Sequence, residues 1–326
     1  MTDFNKNAVC YDNTRLSEYK RCPRAFYIRH VLGWNTKGTG DALVFGSSWH
    51  EGQDIIWKCG KMWADGQVTQ HDVVDMAFDN FMKCWKENGF PDPLDEFDYD
   101  RLGARTPGTA KEMMWNYMTE REHILKNCTV IGIEQPFAVP MPDVSNTFYV
   151  GRLDKSIQYN AGTYIIEHKT TTAYDVKNGF RSDYIESWFA SSQVKGYQFG
   201  GGLFYPGLTG VWVDAALVHK KQHDHFRFVP VSHSPVLLTE WLENTREWVE
   251  QVNESKRQAD AGYKLSKAFP KNEDSCFGKF GKCPFLDICM TCHDPRVLPE
   301  IPAGFEHNVW EPFDLLGLDK LIKEGE

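Results

Sequence analysis

Residues 147–171, TFYVGRLDKSIQYNAGTYIIEHKTT, are the most informative part of the sequence for predicting the fold. Both of its halves are rich in β-branched and aromatic residues, and the turn-forming residues 160–162 separate them. This pattern predicts two strands, 147–158 and 163–171, which a hairpin joins into an antiparallel pair.

Three charged residues of this hairpin are predicted to meet. Glu167 and Lys169 are two positions apart on one strand, so their side chains share a face of the sheet. Asp154 lies on the other strand, as far before the turn as Glu167 lies after it. A two- or four-residue loop would set the two acids opposite each other, and a three-residue loop would need a bulge to do the same.

Two carboxylates and an ammonium on one spot suit the hydrolysis of a phosphodiester. The carboxylates can hold a hard divalent cation through oxygen ligands. The cation activates a bound water, and the lysine orients that water or neutralises developing charge. The alternative is a salt-bridged strand face with no catalytic role, and the isolated D…ExK pattern does not separate the two interpretations.

The remaining chain alternates between helical and strand patterns. Apolar periodicity and turn residues predict helices, further strands and one loop at 89–108. The helices are 14–32 with a break at Pro23, 46–64, 71–88, 109–127, 187–200 and 237–261, and the strands are 129–139, 210–219 and 225–231. We therefore expect an α/β fold, a central mixed sheet flanked by helices. A single domain over 1–326 would hold a helical insertion at 33–127 and a catalytic sheet core at 128–235.

Composition narrows the class of protein. A hydrophobic fraction of 41% argues against disorder. There is no N-terminal apolar signal and no run of about 18 apolar residues, so we expect an intracellular, cytoplasmic protein without a membrane span. The net charge of −9 is unlike that of a typical nucleic-acid binder, but five cations face only two anions between positions 10 and 31. An acidic chain can therefore carry a locally basic surface.

The cysteines indicate a metal centre. Four of the nine, Cys276, Cys283, Cys289 and Cys292, lie in one short segment within 270–295. Without an export signal, these residues are thiols or metal ligands and not disulfides. Four local thiolates suit structural zinc, whereas the irregular spacings favour an iron–sulfur cluster. The sequence leaves both open.

Six motifs in order resemble the RecB-like nucleases of the PD-(D/E)XK superfamily, including AddB-type and CRISPR-associated exonucleases. The motifs are LSEYKRCPRAFYIRH with Cys22, FGSSWHEG with His50, GRLD with Asp154, IIEHK with Glu167 and Lys169, QVKGY with Gln193 and Tyr197, and C-x6-C-P-F-x3-C with Cys276, Cys283 and Cys289. The proline that names the superfamily is absent, because Leu153 precedes Asp154.

The resemblance implies a role for each active-site residue. His50, Asp154 and Glu167 would hold Mg²⁺ or Mn²⁺, with the backbone carbonyl of His168 as a further ligand, and Lys169 would be the catalytic lysine. A histidine in a Gly/Ser/Trp segment is by default a packed or capping residue, and imidazole is a less typical ligand for magnesium than for manganese.

Other residues follow from the same resemblance. Gln193 and Tyr197 would contact DNA or support the site. Cys22 would be the fourth ligand of a [4Fe–4S] cluster, which would tie the cysteine segment to the N-terminal region and leave Cys292 spare. Glu134, in the strand IGIEQPF, is a competing acid that we rank below His50 because its role could be to support the sheet.

The expected function is a metal-dependent nuclease that cleaves DNA exonucleolytically in recombination or end processing. Its partners would be DNA, as single strands or duplex ends, and a recombination or replication protein. Two alternatives remain: a non-catalytic DNA-binding or scaffold subunit of a nuclease assembly, and a zinc-stapled structural protein. The complete Asp154, Glu167 and Lys169 set argues against a decayed site.

Overall fold

The computed structural model describes residues 4–175, 179–278 and 281–322. Within these ranges the strands are β1 (Val9–Tyr11), β2 (Trp34–Thr36), β3 (Thr129–Pro140), β4 (Thr147–Tyr159), β5 (Gly162–Thr171), β6 (Tyr174–Asp175), β7 (Gly179–Phe180), β8 (Gly210–Leu217), β9 (Phe226–Val231), β10 (Phe277–Gly278), β11 (Gly281–Lys282) and β12 (Phe305–His307).

The helices of the same ranges are α1 (Asn13–Arg21), α2 (Pro23–Phe26), α3 (Asp41–Ala64), α4 (Gln70–Glu87), α5 (Glu96–Leu102), α6 (Pro107–Asn127), α7 (Ser182–Ser187), α8 (Ser192–Gly202), α9 (Pro235–Asp260), α10 (Leu265–Ala268), α11 (Leu286–Thr291) and α12 (Pro312–Leu316). A π-helical turn, Tyr27–Val31, follows α2, and a 3-10 turn, Trp188–Ala190, follows α7. The predicted α/β fold, a mixed sheet with flanking helices, is confirmed.

Two predictions of local structure are wrong. The helix predicted over 187–200 is divided into α7, the 3-10 turn and α8, because Ser191 is extended and its side chain caps α8 by accepting from the Val194 N–H. The predicted loop 89–108 contains α5, where Asp95 and Asp98 form a capping box. In both places a cap, and not the apolar pattern, decides where the helix begins.

The chain forms two compact units, each assembled from separated segments. One comprises Met1–Gly38, Pro136–Gly151 and Ser234–Glu326, and the other comprises Thr39–Gln135 and Arg152–His233. The candidate active-site residues belong to the second unit, and the cysteine segment belongs to the first. The predicted boundaries of the insertion and the core stay predictions.

The main sheet has the strand order β1-β4-β5-β8-β9, with β3 paired to β4. Strands β5 and β8 are parallel, whereas β4 and β9 run antiparallel to their neighbours β5 and β8. Opposite faces of β5 meet different helices in the second unit. Ile166 joins the core formed with α3, α4 and α6, where Trp49, Trp57 and Trp85 are almost fully buried.

Helix α8 packs on the other face of β5. A Cβ atom at Gly201 would lie 2.3 Å from Cδ1 of Ile165, so a larger residue would require the Ile165 side chain to move. Since side chains alternate along a strand, Glu167 and Lys169 lie on the same face as Ile165, beside α8. None of the helices in the described ranges is long and apolar enough to cross a membrane.

Candidate active site

The hairpin between β4 and β5 sets the geometry of the site. Its loop has two residues, Asn160 and Ala161, with φ angles of 46° and 61°. Two positive φ angles characterise the type I′ turn, whose twist matches that of the flanking strands. The register pairs Lys155 with Ile166, so one further step places Asp154 across from Glu167. Asp154 Oδ2 also accepts a hydrogen bond from the His168 N–H at 2.9 Å.

The two carboxylates are buried and electrostatically coupled. Asp154 is 8% exposed and Glu167 is 1% exposed. Burial, reinforced by the Asp154 carboxylate, raises the pKa of Glu167 to about 8. Burial acts on Asp154 as well, but His50 and the neighbouring lysines outweigh it and lower its pKa to about 2. The pair therefore favours one ionised acid unless another positive charge enters the site.

Lys169 supplies part of that positive charge. Its ammonium forms an ion pair with the Glu167 carboxylate. Burial alone would lower the pKa of Lys169, but Glu167 and Asp154 more than offset this and raise it. The other carboxylate oxygen of Glu167, Oε2, is buried and has no hydrogen-bond donor among the described residues. A bound cation would satisfy that oxygen.

His50, Glu134 and Asp154 form a group that can hold a metal. Nδ1 of His50 lies 3.3 Å from Oδ2 of Asp154, and ligand atoms of His50, Glu134 and Asp154 all lie within 4.8 Å of one another. Mixed nitrogen and oxygen donors fit a divalent transition metal such as Mn²⁺, and the oxygens fit Mg²⁺. The residues present therefore fit the expected ion.

Glu134 has a conformation that is rare for its residue type. Its φ of 50° lies in the left-handed region, and its carboxylate forms an ion pair with Arg152 at 2.5 Å. Burial raises the pKa of Glu134 to about 7, and the Asp154 carboxylate adds to the effect. Strained backbone of this kind concentrates at functional sites. The sequence analysis ranked Glu134 below His50, whereas the structure brings both to Asp154.

A second buried network supports β5 from the opposite face. The side chain of His168 is fully buried there, and its Nδ1 lies 3.2 Å from Oδ2 of Asp214, the residue directly across from it on β8. Tyr117 donates to Asp214 at 2.5 Å and Arg121 at 3.0 Å. Burial would raise the pKa of Asp214, but Arg121 in particular outweighs it and lowers the pKa. The network fixes the strand that carries Glu167 and Lys169.

This network predicts a large loss of stability in Asp214→Ala. Removing the acid leaves the buried Arg121 guanidinium, 7% exposed, without its buried partner and with only the exposed Glu120 beside it, which costs about 3–5 kcal/mol. Urea unfolding of the full chain measures the loss. Glu120→Ala is the matched control, because Glu120 pairs with the same arginine from an exposed position, and it should change stability by less than about 1 kcal/mol. An Asp214→Ala variant as stable as the wild type would contradict this role.

The comparison with protein families decides the class. A model of the PD-(D/E)XK nuclease superfamily matches residues 13–290. The chain belongs to this superfamily. No curated protein matches the chain closely enough to count as a relative. A crystal structure from Eubacterium rectale, named "Putative exonuclease", is similar at 14% identity with a TM-score of 0.44, and the match covers 95% of this chain and 93% of that chain.

Membership in this superfamily indicates which reaction the site catalyses. Nucleases of this superfamily use divalent metal ions, and the chain is accordingly a metal-dependent nuclease that hydrolyses phosphodiester bonds. Its acidic and basic groups converge on the face of β5 beside α8. On α8, Gln193 and Tyr197 lie one turn apart, and the Gln193 amide donates to the Tyr197 hydroxyl at 2.9 Å. Whether the pair contacts DNA or supports the site stays a prediction.

The cysteines of the first unit gather around Cys22. Cys22 is buried in an apolar cluster against which Cys283 and Cys289 pack. Burial raises the pKa of Cys289 to about 11, and the charges of Cys22 and Cys283 add to the effect. The pKa of Cys276 is raised in the same way, by burial and then by Cys283 and Cys22. These four thiols are close enough to act on one another electrostatically.

Two functional features were missed by the sequence analysis. Arg152, which holds Glu134, precedes Asp154 by two positions in the GRLD motif and was not singled out. Asp214 also went unnoticed, although an acid within the apolar strand GVWVDAAL is a usable signal. A carboxylate buried in a strand needs a charged or hydrogen-bonding partner, which here is Arg121.

Proposed function

We propose that the chain is a metal-dependent DNA exonuclease of the RecB-like group, which includes AddB-type and CRISPR-associated exonucleases. It would act in recombination or end processing, together with a recombination or replication protein. The observation that carries the proposal is the convergence of Asp154, Glu167 and Lys169 on one face of the sheet, with His50 beside them. The match of the family model across both compact units supports a single nuclease domain.

The side chains divide the work of phosphodiester hydrolysis. His50, Asp154, Glu167 and the His168 carbonyl would hold Mg²⁺ or Mn²⁺, with Glu134 as an additional acid. When bound, the ion lowers the pKa of a water molecule and stabilises negative charge on the phosphate. Lys169 keeps its proton because two carboxylates raise its pKa. It can therefore donate a hydrogen bond to the attacking water or to a phosphate oxygen.

The cysteine site belongs to the same proposal. Cys22, Cys276, Cys283 and Cys289 would hold a [4Fe–4S] cluster, and structural zinc is the alternative. The packing of Cys283 and Cys289 against the apolar cluster that contains Cys22 supports this ligand set. Cys292 lies at the C-terminal end of α11, where its N–H donates to the Ile288 carbonyl at 2.8 Å. None of the nine cysteines forms a disulfide, which supports an intracellular, reducing location.

A nuclease assay on end-labelled DNA tests the function. We expect cleavage of linear DNA with Mg²⁺ or Mn²⁺, no cleavage in excess chelator, and no cleavage of a circular substrate, since an exonuclease requires ends. Cleavage that persists in chelator would contradict the metal-dependent assignment. Cleavage of the circle would replace an exonuclease with an endonuclease. Tight DNA binding without cleavage under any metal would favour the non-catalytic subunit.

A further inference from the structure

On the outer strand of the main sheet, β9, an exposed arginine, Arg227, lies in line with Lys169 across the strands. Strand pairing sets Lys169 across from Ala215, and Ala215 across from Arg227 on β9. Residues directly paired in a sheet point to the same face, so Arg227 lies on the active-site face. Neighbouring strands are about 4.8 Å apart, which places the backbones of Lys169 and Arg227 roughly 10 Å apart. No carboxylate of the described chain forms an ion pair with Arg227.

An aromatic segment lies beside the same strand. The 3-10 turn Trp188–Ala190 packs against β9, and a ring nitrogen of His233 hydrogen-bonds the Phe189 carbonyl at 3.0 Å. Phe189 is 53% exposed, and Trp188 is partly exposed. Trp188 also makes an edge contact with Tyr184, at 5.6 Å between ring centroids. The turn is thus anchored through its backbone while an aromatic side chain remains open to solvent.

We propose that Arg227, Trp188 and Phe189 form a binding surface for single-stranded nucleic acid next to the scissile bond. This inference rests on the proposed nuclease function and specifies the form of its substrate. An arginine that lacks a carboxylate partner can pair with a phosphate, and aromatic rings can stack on bases that are not already paired. Stacking requires exposed base faces, which a duplex offers only at its ends. The surface therefore selects single strands over continuous duplex.

Two other exposed aromatic side chains of the second unit, both on α5, do not suit this role equally. Phe97 is 73% exposed and Tyr99 is 56% exposed on α5. That helix also carries several acids, Glu96, Asp98 and Asp100. Phosphates would be repelled there. Position relative to Lys169 thus singles out the surface on β9, and Phe97 provides a matched control for an exposed phenylalanine.

Binding to labelled oligonucleotides in chelator, where no cleavage is expected, tests the proposal. The probes are a single strand of about 20 nucleotides, the duplex of equal length, and an abasic single strand. Phe189→Ala should weaken binding of the normal single strand by about 5-fold to 150-fold, the effect of losing one stacked base. Binding of the abasic strand and of the duplex should change less than about 2-fold.

Arg227→Ala should weaken the normal and abasic strands alike, and should reduce the slope of log K against log salt by about 0.7, one phosphate contact. Arg227→Lys should keep that slope, because the charge is retained. Phe97→Ala and Lys83→Ala are controls whose binding should match the wild type, since both side chains are 73% exposed and lie on helices, α5 and α4, that are not part of the proposed surface.

Two results would overturn the inference: wild-type affinity of Phe189→Ala for the normal single strand, or an equal loss on the abasic strand. An unchanged salt slope in Arg227→Ala would remove the arginine from the surface. If the proposed nuclease function is wrong, the wild type would cleave no DNA with any metal, regardless of what the variants bind. If the wild type cleaves while both variants bind normally, only the present inference fails.

Discussion

Replacing Lys169 with alanine is expected to abolish DNA cleavage, with kcat reduced by at least about 100-fold in saturating Mg²⁺ or Mn²⁺. The ammonium is the only cation among the described residues that forms an ion pair with Glu167. Asp154→Ala and Glu167→Ala should abolish cleavage for a different reason, because each removes a proposed oxygen ligand of the metal ion. Single-turnover rates distinguish a slower cleavage step from weaker DNA binding. Calorimetric titration with Mn²⁺ distinguishes the loss of the lysine from the loss of a metal ligand. Lys169→Ala should still bind metal, whereas Asp154→Ala and Glu167→Ala should not.

These variants should keep their fold. Removing one of two neighbouring buried carboxylates relieves repulsion, so Glu167→Gln should be at least as stable as the wild type in metal-free buffer. Circular dichroism and the urea midpoint check this. Lys83→Ala, which changes an exposed lysine on α4, should keep full activity. Full activity of Lys169→Ala with metal would show that the lysine is only part of a salt-bridged strand face.

The hairpin shows what the sequence could predict. A short turn between two alternating strands determines the register, and the register determines which side chains meet. The position of Asp154 across from Glu167 therefore follows from local sequence alone. The loop length was left open between two, three and four residues, and the structure has two, Asn160 and Ala161.

Long-range contacts show what the sequence could not predict. Glu134 reaches the site because β3 departs from regular strand geometry at this residue, a feature that no motif records. Asp214 accepts a hydrogen bond from Arg121, which lies 93 positions earlier in the chain. The helical pattern of α6 does not indicate which of its side chains faces β8. The predicted helix boundaries were wrong where a capping residue, such as Ser191, begins a helix inside a continuous apolar pattern. Local periodicity thus predicted the elements but not their partners.

Loss of any one cluster ligand is expected to cost the protein its colour and its solubility. Protein purified without oxygen should be brown and contain iron and sulfide. Four variants should each be colourless and aggregate: Cys22→Ser, Cys276→Ser, Cys283→Ser and Cys289→Ser. Cys292→Ser should keep both its colour and its solubility.

The expected loss of solubility follows from the separation of the ligands along the chain. Cys22 and Cys276 are 276 − 22 = 254 positions apart. A shared centre closes almost the whole chain into a loop, and the entropy removed from the unfolded chain grows with loop length, although only logarithmically. Since ligand binding is then part of folding, a lost ligand destabilises the protein without removing any side chain of the proposed active site. Visible absorption and metal analysis test these expectations. One zinc ion in colourless wild-type protein would show that the site holds zinc and not an iron–sulfur cluster. A fully metallated Cys22→Ser together with a metal-free Cys292→Ser would show that the ligands are the four local cysteines and that no long loop is closed.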